Sequence, residues 1–202
     1  MIAIIDYGMG NLGSIKNMFK KIGAEAIITS DLDVMYKADK LLLPGVGHFK
    51  KAMDNLNETG LSSIIQQQAA SGKPIMGICL GMQLLASHSQ EGDVNGLNLI
   101  PGEVQKFSSQ HKLKVPHMGW NRLNYNSSCP LFNDFHVFDE ARFYFVHSYF
   151  YICTEYEHSV GTTEYGITFT SAIQKDNVFG MQFHPEKSHK FGMKLFENFH
   201  KL

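Results

Sequence analysis

The chain is short of cysteine, proline and tryptophan, and it carries no surplus of charge. Its 202 residues include three cysteines, six prolines and one tryptophan. Cys79, Cys129 and Cys153 are odd in number and widely spaced, with no C-x-x-C pair, which argues against a disulfide framework and against a cysteine-type zinc site. Thiols of this kind fit a reducing cytoplasm. The formal net charge is −1, so the basic footprint that phosphate backbones demand is missing and no nucleic-acid partner is expected. Long apolar runs are missing too. The longest weakly polar stretch, Pro74 to Ala86, contains Gln83 and is shorter than the roughly 20 residues that span a bilayer, so no membrane association is expected. The opening Met1-Ile2-Ala3-Ile4-Ile5-Asp6 has no basic start and meets a charge too early for a secretion signal, which predicts a chain that is not exported.

What is present is the composition of a folded protein, 44% hydrophobic and 18% charged. The length predicts a single domain over residues 1–202. Ile2 to Asp6 reads as a short buried strand closed by Gly8 and Gly10, and Leu12, Ile15, Phe19 and Ile22 then recur at helical spacing up to Gly23. Ala26-Ile27-Ile28 and Lys40-Leu41-Leu42-Leu43 read as further strands, the second ending at Pro44-Gly45-Val46-Gly47. Leu61, Ile64 and Ile65 mark a helix ended by Gly72, and Pro74 to Ile78 is a buried strand running into Cys79. Short, fully apolar strands alternating with helices predict an α/β fold with a mostly parallel sheet flanked by helices. After Pro101-Gly102 the pattern alternates, as in Glu103 to Phe107 and Arg142 to His147, so the second half is expected to be strand-rich. Lys187 to Leu202, with Phe191, Leu195, Phe196 and Phe199, predicts a closing amphipathic helix.

Gly77-Ile78-Cys79-Leu80-Gly81 is a G-x-C-x-G sequence at a strand-to-helix turn, the thiol form of a nucleophile elbow. A sharp turn holds the side chain proud of the sheet, flanking glycines let backbone pack close, and the following helix N-terminus is expected to favour the thiolate. A thiolate needs a base, and Phe183-His184-Pro185-Glu186 supplies one. Residues two apart in an extended segment point the same way, so Glu186 can hold one nitrogen of His184 while the other faces Cys79. Acyl transfer also needs donors for an oxyanion. The turn Pro44 to Gly47 places backbone N–H groups of Val46 and Gly47 on the same rim of the sheet, beside the Leu80 N–H that follows the nucleophile. A competing motif, Gly8-Met9-Gly10-Asn11-Leu12-Gly13 with Asp31 beyond it, fits the G-x-G-x-x-G pattern of a dinucleotide-binding protein.

With Asp6 to Asn11, Leu43 to Gly47, Gly77 to Gln83, Pro116 to Asn121, Phe145 to Tyr149 and Gln182 to Ser188 in view, the chain resembles the class I (triad) glutamine amidotransferases over essentially its full length. Within them, Pro116-His117-Met118-Gly119-Trp120-Asn121 and Lys187-Ser188 are similar to the glutaminase subunits of imidazole glycerol phosphate synthases. The resemblance implies a flavodoxin-like amidotransferase fold and a Cys79, His184, Glu186 triad that hydrolyses L-glutamine through a γ-glutamyl thioester. It further implies that Gly45, Gln83, Glu91, Ser148 and Tyr149 surround the glutamine, with no metal or cofactor. Ammonia would pass to a (β/α)8-barrel synthase subunit that makes imidazole glycerol phosphate and AICAR in histidine biosynthesis, a separate chain in a heterodimer. Met118, Trp120 and Lys187 are candidates for the face that meets it. His48, Ser87-His88 and His189 depart from the family pattern and leave open a paralogue feeding ammonia to another synthase, such as one that amidinates surface sugars.

Overall fold

The computed structural model describes residues 1–108 and 113–202. In the first half, strands and helices alternate: β1 (Ile2–Ile5), α1 (Leu12–Lys21), β2 (Ala26–Thr29), α2 (Leu32–Lys37), β3 (Lys40–Leu43), α3 (Phe49–Glu58), α4 (Leu61–Ala70), β4 (Ile75–Ile78) and α5 (Leu80–Gln83). The second half is mostly strand: β5 (His88–Ser89), β6 (Val94–Asn95), β7 (Gly102–Lys106), β8 (His117–Arg122), β9 (Asn124–Tyr125), β10 (Arg142–His147), β11 (Tyr149–Cys153), β12 (Ser159–Tyr165), β13 (Ile167–Lys175) and β14 (Val178–Met181), closed by α6 (His189–Lys201).

The main sheet has a parallel region, in the order β2-β1-β3-β4-β14, continued by antiparallel β13, β11 and β7 and by short β5 and β6. β1, β3, β4 and β14 are buried on both faces, as continuous apolar runs require, whereas β2 at the sheet edge is half-buried and leaves Ile27 exposed. Ile2 and Ile4 of β1, Leu42 of β3 and Met76 and Ile78 of β4 join a core layer with α1 and α6. Ala3 and Ile5, Leu41 and Leu43, and Ile75 join the opposite layer with α2, α3 and α4. β8 and β10 form a separate antiparallel ribbon in which His117 pairs with His147 and Gly119 with Phe145.

β3, β4 and β14 are neighbours, so their carboxyl ends bring Pro44 to Gly47, Cys79 and the segment leading to His184 to one rim of the sheet. This is the edge where open α/β sheets bind ligands.

Three features differ from the sequence expectation. Helices α2 and α3 stand where none is expected. The closing helix starts at His189, because Pro185 to Lys187 forms a 3-10 turn first. The helix after Cys79 is only Leu80–Gln83, followed by tight bonds from the Leu85 N–H to the Met82 carbonyl and from the Ala86 N–H to the Gln83 carbonyl. So short a run of aligned peptides supplies little of the dipole that the sequence leads one to expect at Cys79.

Candidate active site

Cys79 has φ 55° and ψ −110°, a conformation that costs a non-glycine residue about 1–3 kcal/mol. Its surroundings hold it there. The Cys79 N–H donates to the Met181 carbonyl at 2.7 Å and its carbonyl accepts from the Gln83 N–H at 3.2 Å. A β-carbon on Gly77 would come within 2.5 Å of the Gly81 carbonyl oxygen, and one on Gly81 would collide with the Leu43 carbonyl oxygen. Both flanking glycines are therefore required by close backbone approach.

His184 follows β14, its N–H bonded to the Tyr144 carbonyl at 2.9 Å. Ser188 fastens this bend to β10, its hydroxyl donating to the His184 carbonyl at 2.6 Å and accepting from the Tyr144 N–H at 3.0 Å. His184 Nδ1 meets Glu186 Oε1 at 2.8 Å, with the two side chains 2% and 1% exposed. A carboxylate accepts only, so Nδ1 carries the proton and Nε2 is left for chemistry. Among the described residues Nε2 has no hydrogen-bond partner although it is buried, a state costing about 1–3 kcal/mol that is common where a ligand or reacting atom is to sit. Burial lowers the imidazole pKa, but the Cys79 sulfur and the Glu186 carboxylate outweigh it and hold it well above the ordinary histidine range, at about 10. A ring held in this way is suited to keep and return a proton beside the Cys79 sulfur.

Cys79 and His184 line a cavity of about 330 Å³ together with Val46, Gly47, Leu80, Gln83, Glu91, Ser148 and His147. Tyr7 pins the turn on its rim by donating to the Pro44 carbonyl at 2.7 Å. Gly47 takes φ 117°, open to glycine, and Leu80 opens α5, so its N–H has no carbonyl within the helix to bond. Both N–H bonds of Gln83 are committed, to the Tyr149 carbonyl at 3.1 Å and Gln182 Oε1 at 3.0 Å, so it offers the cavity only its carbonyl oxygen. Glu91 Oε2 accepts from the Phe49 N–H at 2.8 Å and so caps α3. Gly45 and Tyr149 do not line the cavity. Gly45 lies beneath the turn, where a β-carbon would be 2.9 Å from the Gly81 nitrogen, and Tyr149 contributes its carbonyl behind Gln83.

On the outer face of β8, Met118 is 62% and Trp120 45% exposed. Trp120 stacks on His189 with ring centres 5.5 Å apart and meets the edge of Tyr144, over whose ring Lys187 Nζ lies at 5.6 Å. Trp120 and Lys187 thus adjoin the histidine bend, with Met118 two residues along β8 on the same exposed face, and none of the three lines the cavity.

The dinucleotide fingerprint is not built. A β-carbon on Gly13 would touch nothing within 4 Å, whereas the third glycine of that motif serves close helix–strand packing. The Asp31 carboxylate is occupied as the N-cap of α2, accepting from the Asp33 and Val34 N–H groups.

Two contacts to the sulfur were not anticipated. Gln182 Nε2 and the Val146 carbonyl each lie 3.9 Å from Cys79 Sγ. Two-residue alternation up to His184 would aim Gln182 the same way, so that signal is present in the sequence. Glu186 does not follow it, because Pro185–Lys187 is a 3-10 turn rather than the extended segment expected, and the turn brings its carboxylate to His184 Nδ1. The Val146 contact depends on how the β8–β10 ribbon docks and has no local signature.

The glutamine amidotransferase class-I family model matches residues 3–202. Subunit HisH 2 of imidazole glycerol phosphate synthase from Methanococcus maripaludis is 54% identical over 98% of each chain. The HisH subunit from Sulfurimonas denitrificans is 51% identical over 100% of this chain and 98% of its own. The HisH 2 subunit from Pseudomonas aeruginosa is 44% identical over 100% of both. Among solved structures, a glutamine amidotransferase superposes with a TM-score of 0.77 at 15% identity over 100% of this chain and 98% of its own. PurLQS from Thermotoga maritima gives 0.75 at 21% identity over 98% and 96%, and these two likenesses bear on the fold alone. With its elbow cysteine, its buried His-Glu pair and a family match that runs nearly from end to end, the chain belongs to the class-I glutamine amidotransferase family.

Proposed function

We propose that the protein is a glutaminase that works as one catalytic domain over residues 1–202 and delivers ammonia to a synthase partner. The observation that carries this reading is the buried His184–Glu186 pair, with His184 Nε2 unpartnered in the cavity that also holds Cys79. The Cys79 thiolate attacks the γ-carboxamide carbon of L-glutamine, forming a C–S bond and an oxyanion. The Leu80 N–H and an N–H of Val46 or Gly47 are the donors for that oxyanion. As the C–N bond breaks, His184 gives its proton to the leaving nitrogen and ammonia departs. His184 then takes a proton from water, hydroxide attacks the thioester carbonyl, and glutamate leaves as Cys79 regains its thiolate. Glu186 holds the ring in the required tautomer throughout. The Gln83 carbonyl and the second oxygen of Glu91 suit the α-ammonium of glutamine, and Ser148 suits its carboxylate, while Gly45 and Tyr149 shape the backbone around them.

The relatives are named as subunits of imidazole glycerol phosphate synthase. We assign this chain the same place, as the glutaminase of a cytoplasmic heterodimer in histidine biosynthesis. Its partner is a (β/α)8 subunit that uses the ammonia to make imidazole glycerol phosphate and AICAR. Such a barrel needs about 250 residues of its own. Met118, Trp120 and Lys187 form the docking face, an exposed aromatic and cationic cluster next to the histidine bend.

Reconstitution with a histidine-pathway barrel subunit tests the assignment. Glutamine is expected to support imidazole glycerol phosphate formation with stoichiometric glutamate. Glutamate release without that product would instead favour a paralogue serving a different synthase.

A further inference from the structure

Beside the cavity, with His147 in its wall, runs a line of hydrogen bonds whose direction can be assigned at every step. The Arg122 N–H donates to Asn121 Oδ1 at 2.7 Å, so the Asn121 amide nitrogen is the donor on its other side. That nitrogen reaches the Glu164 carbonyl at 2.9 Å and His117 Nε2 at 3.2 Å. At the opposite end, His147 Nδ1 lies 2.7 Å from the Tyr149 carbonyl, which can only accept, so Nδ1 bears the hydrogen. His147 Nε2 is then the acceptor in its 2.9 Å contact with His117 Nδ1, and His117 donates. Each ring is neutral, and each carries its proton on Nδ1. Burial pushes the His117 pKa down to about 4 and that of His147 to about 3, in keeping with two uncharged rings. Cross-strand pairing of β8 and β10 sets the two rings opposite each other, and Phe145 and Tyr165 stack on His117 at 4.8 and 4.0 Å.

The line does not stop at Tyr149. The same carbonyl accepts from Gln83 Nε2, which also donates to Gln182 Oε1, leaving Gln182 Nε2 to face Cys79 Sγ. Tyr149 is therefore the shared acceptor of an imidazole pair on one side and an amide pair on the other. We propose that His117 and His147 are positioning residues for the glutaminase reaction: their fixed tautomers hold the Tyr149 carbonyl, and through Gln83 they hold the Gln182 N–H that faces the Cys79 sulfur. This rests on the glutaminase reading above. It gives the β8 strand, whose outer face carries Met118 and Trp120, a hydrogen-bonded route to the nucleophile.

The test joins a spectroscopic readout to a kinetic one. In wild-type protein with 15N-labelled histidine, long-range 1H–15N correlation should show two neutral Nδ1–H imidazoles that do not titrate between pH 5 and 8. An Nε2–H form at either ring, or protonation of either ring near pH 6, would overturn the proposal. His117→Phe keeps a ring between Phe145 and Tyr165 but removes both nitrogens. With the synthase partner present, it should lower kcat for glutamine by about tenfold with KM within about threefold, as expected when an interaction bearing on the transition state is lost. His117→Asn, whose amide can donate in place of Nδ1, should recover most of kcat. If His117→Phe fails to fold, Asn121→Ala, which removes the donor to His117 at a half-buried position, should show a smaller fall in the same sense. Unchanged kcat in a folded His117→Phe or Asn121→Ala protein would overturn the positioning role. Wild-type protein that shows the imidazole pattern yet turns over no glutamine with its partner would instead count against the glutaminase reading.

Discussion

Gly81 lies so close to Leu43 that a β-carbon on the glycine would overlap the Leu43 carbonyl oxygen. The turn that raises Cys79 and the strand that leads to the Pro44 to Gly47 turn are thus in backbone contact, so the proposed nucleophile and the base of the turn proposed to carry the oxyanion donors are fixed to each other. Gly81→Ala should destabilise the fold by about 1–3 kcal/mol through overpacking. It should also lower glutaminase activity far more than a stability change of that size explains, because both parts must shift. Urea unfolding and glutamate release measured on the same preparation check this; wild-type turnover in the alanine variant would contradict it.

His184→Asn removes the proposed proton carrier, whereas Glu186→Gln leaves an amide able to accept from Nδ1 and removes only the charge. The first should cost on the order of 10³-fold or more in kcat, and the second clearly less. The comparison is informative because Glu186 Oε1 is bonded to the ring while Oε2 is buried without a partner among the described residues. Steady-state kinetics that put Glu186→Gln below His184→Asn would reverse the roles.

Because the folded-state pKa of His184 is raised from 6.5 to about 10, linkage fixes the direction of its effect on stability. Its contribution is complete below the unfolded value of 6.5 and is lost as pH rises through about 10. The difference in unfolding free energy between wild type and His184→Asn should therefore shrink steadily as pH rises over that interval. Denaturant titrations at several pH values measure it, and a difference that grows with pH would show that the ring is not held charged.

How much of this was legible in the sequence depends on the reach of each interaction. The elbow and the β1, β3 and β4 strands are local patterns that read directly, whereas the His184–Glu186 contact forms across a 3-10 turn and not by the strand alternation expected. Helix α2 has six residues and buries one of them, Met35, too little for periodicity to show. Helix α3 does place Phe49, Ala52, Met53 and Leu56 at helical spacing, but no capping side chain precedes it, because its first N–H is capped by Glu91 from a distant loop. The His117–His147 contact exists only because β8 and β10 pair in that register, so the sequence displays two ordinary histidines.

Trp120→Ala and Lys187→Ala should weaken activation by the synthase partner while sparing ammonium-driven synthesis by the barrel, which bypasses this chain. Trp120 lies against Tyr144 and His189, and Lys187 directly follows Glu186 in the chain. A shift at that face therefore has a short route to the triad. The isolated chain should be a poor glutaminase, with the Pro44 to Gly47 turn free to present either a carbonyl or an N–H to the oxyanion. Glutamate release with and without partner is the readout, and full stimulation of both variants would place the docking face elsewhere.

Cys79 is proposed to form a thioester with the γ-carbon of glutamine. Intact-mass and peptide mass spectrometry after treatment with a glutamine analogue bearing an electrophile at its γ-carbonyl tests it most directly. One adduct is expected, on Cys79, that excess L-glutamine suppresses, together with complete loss of glutamate release in Cys79→Ala. An adduct on Cys129 or Cys153 instead, or turnover by Cys79→Ala within about tenfold of wild type, would contradict it.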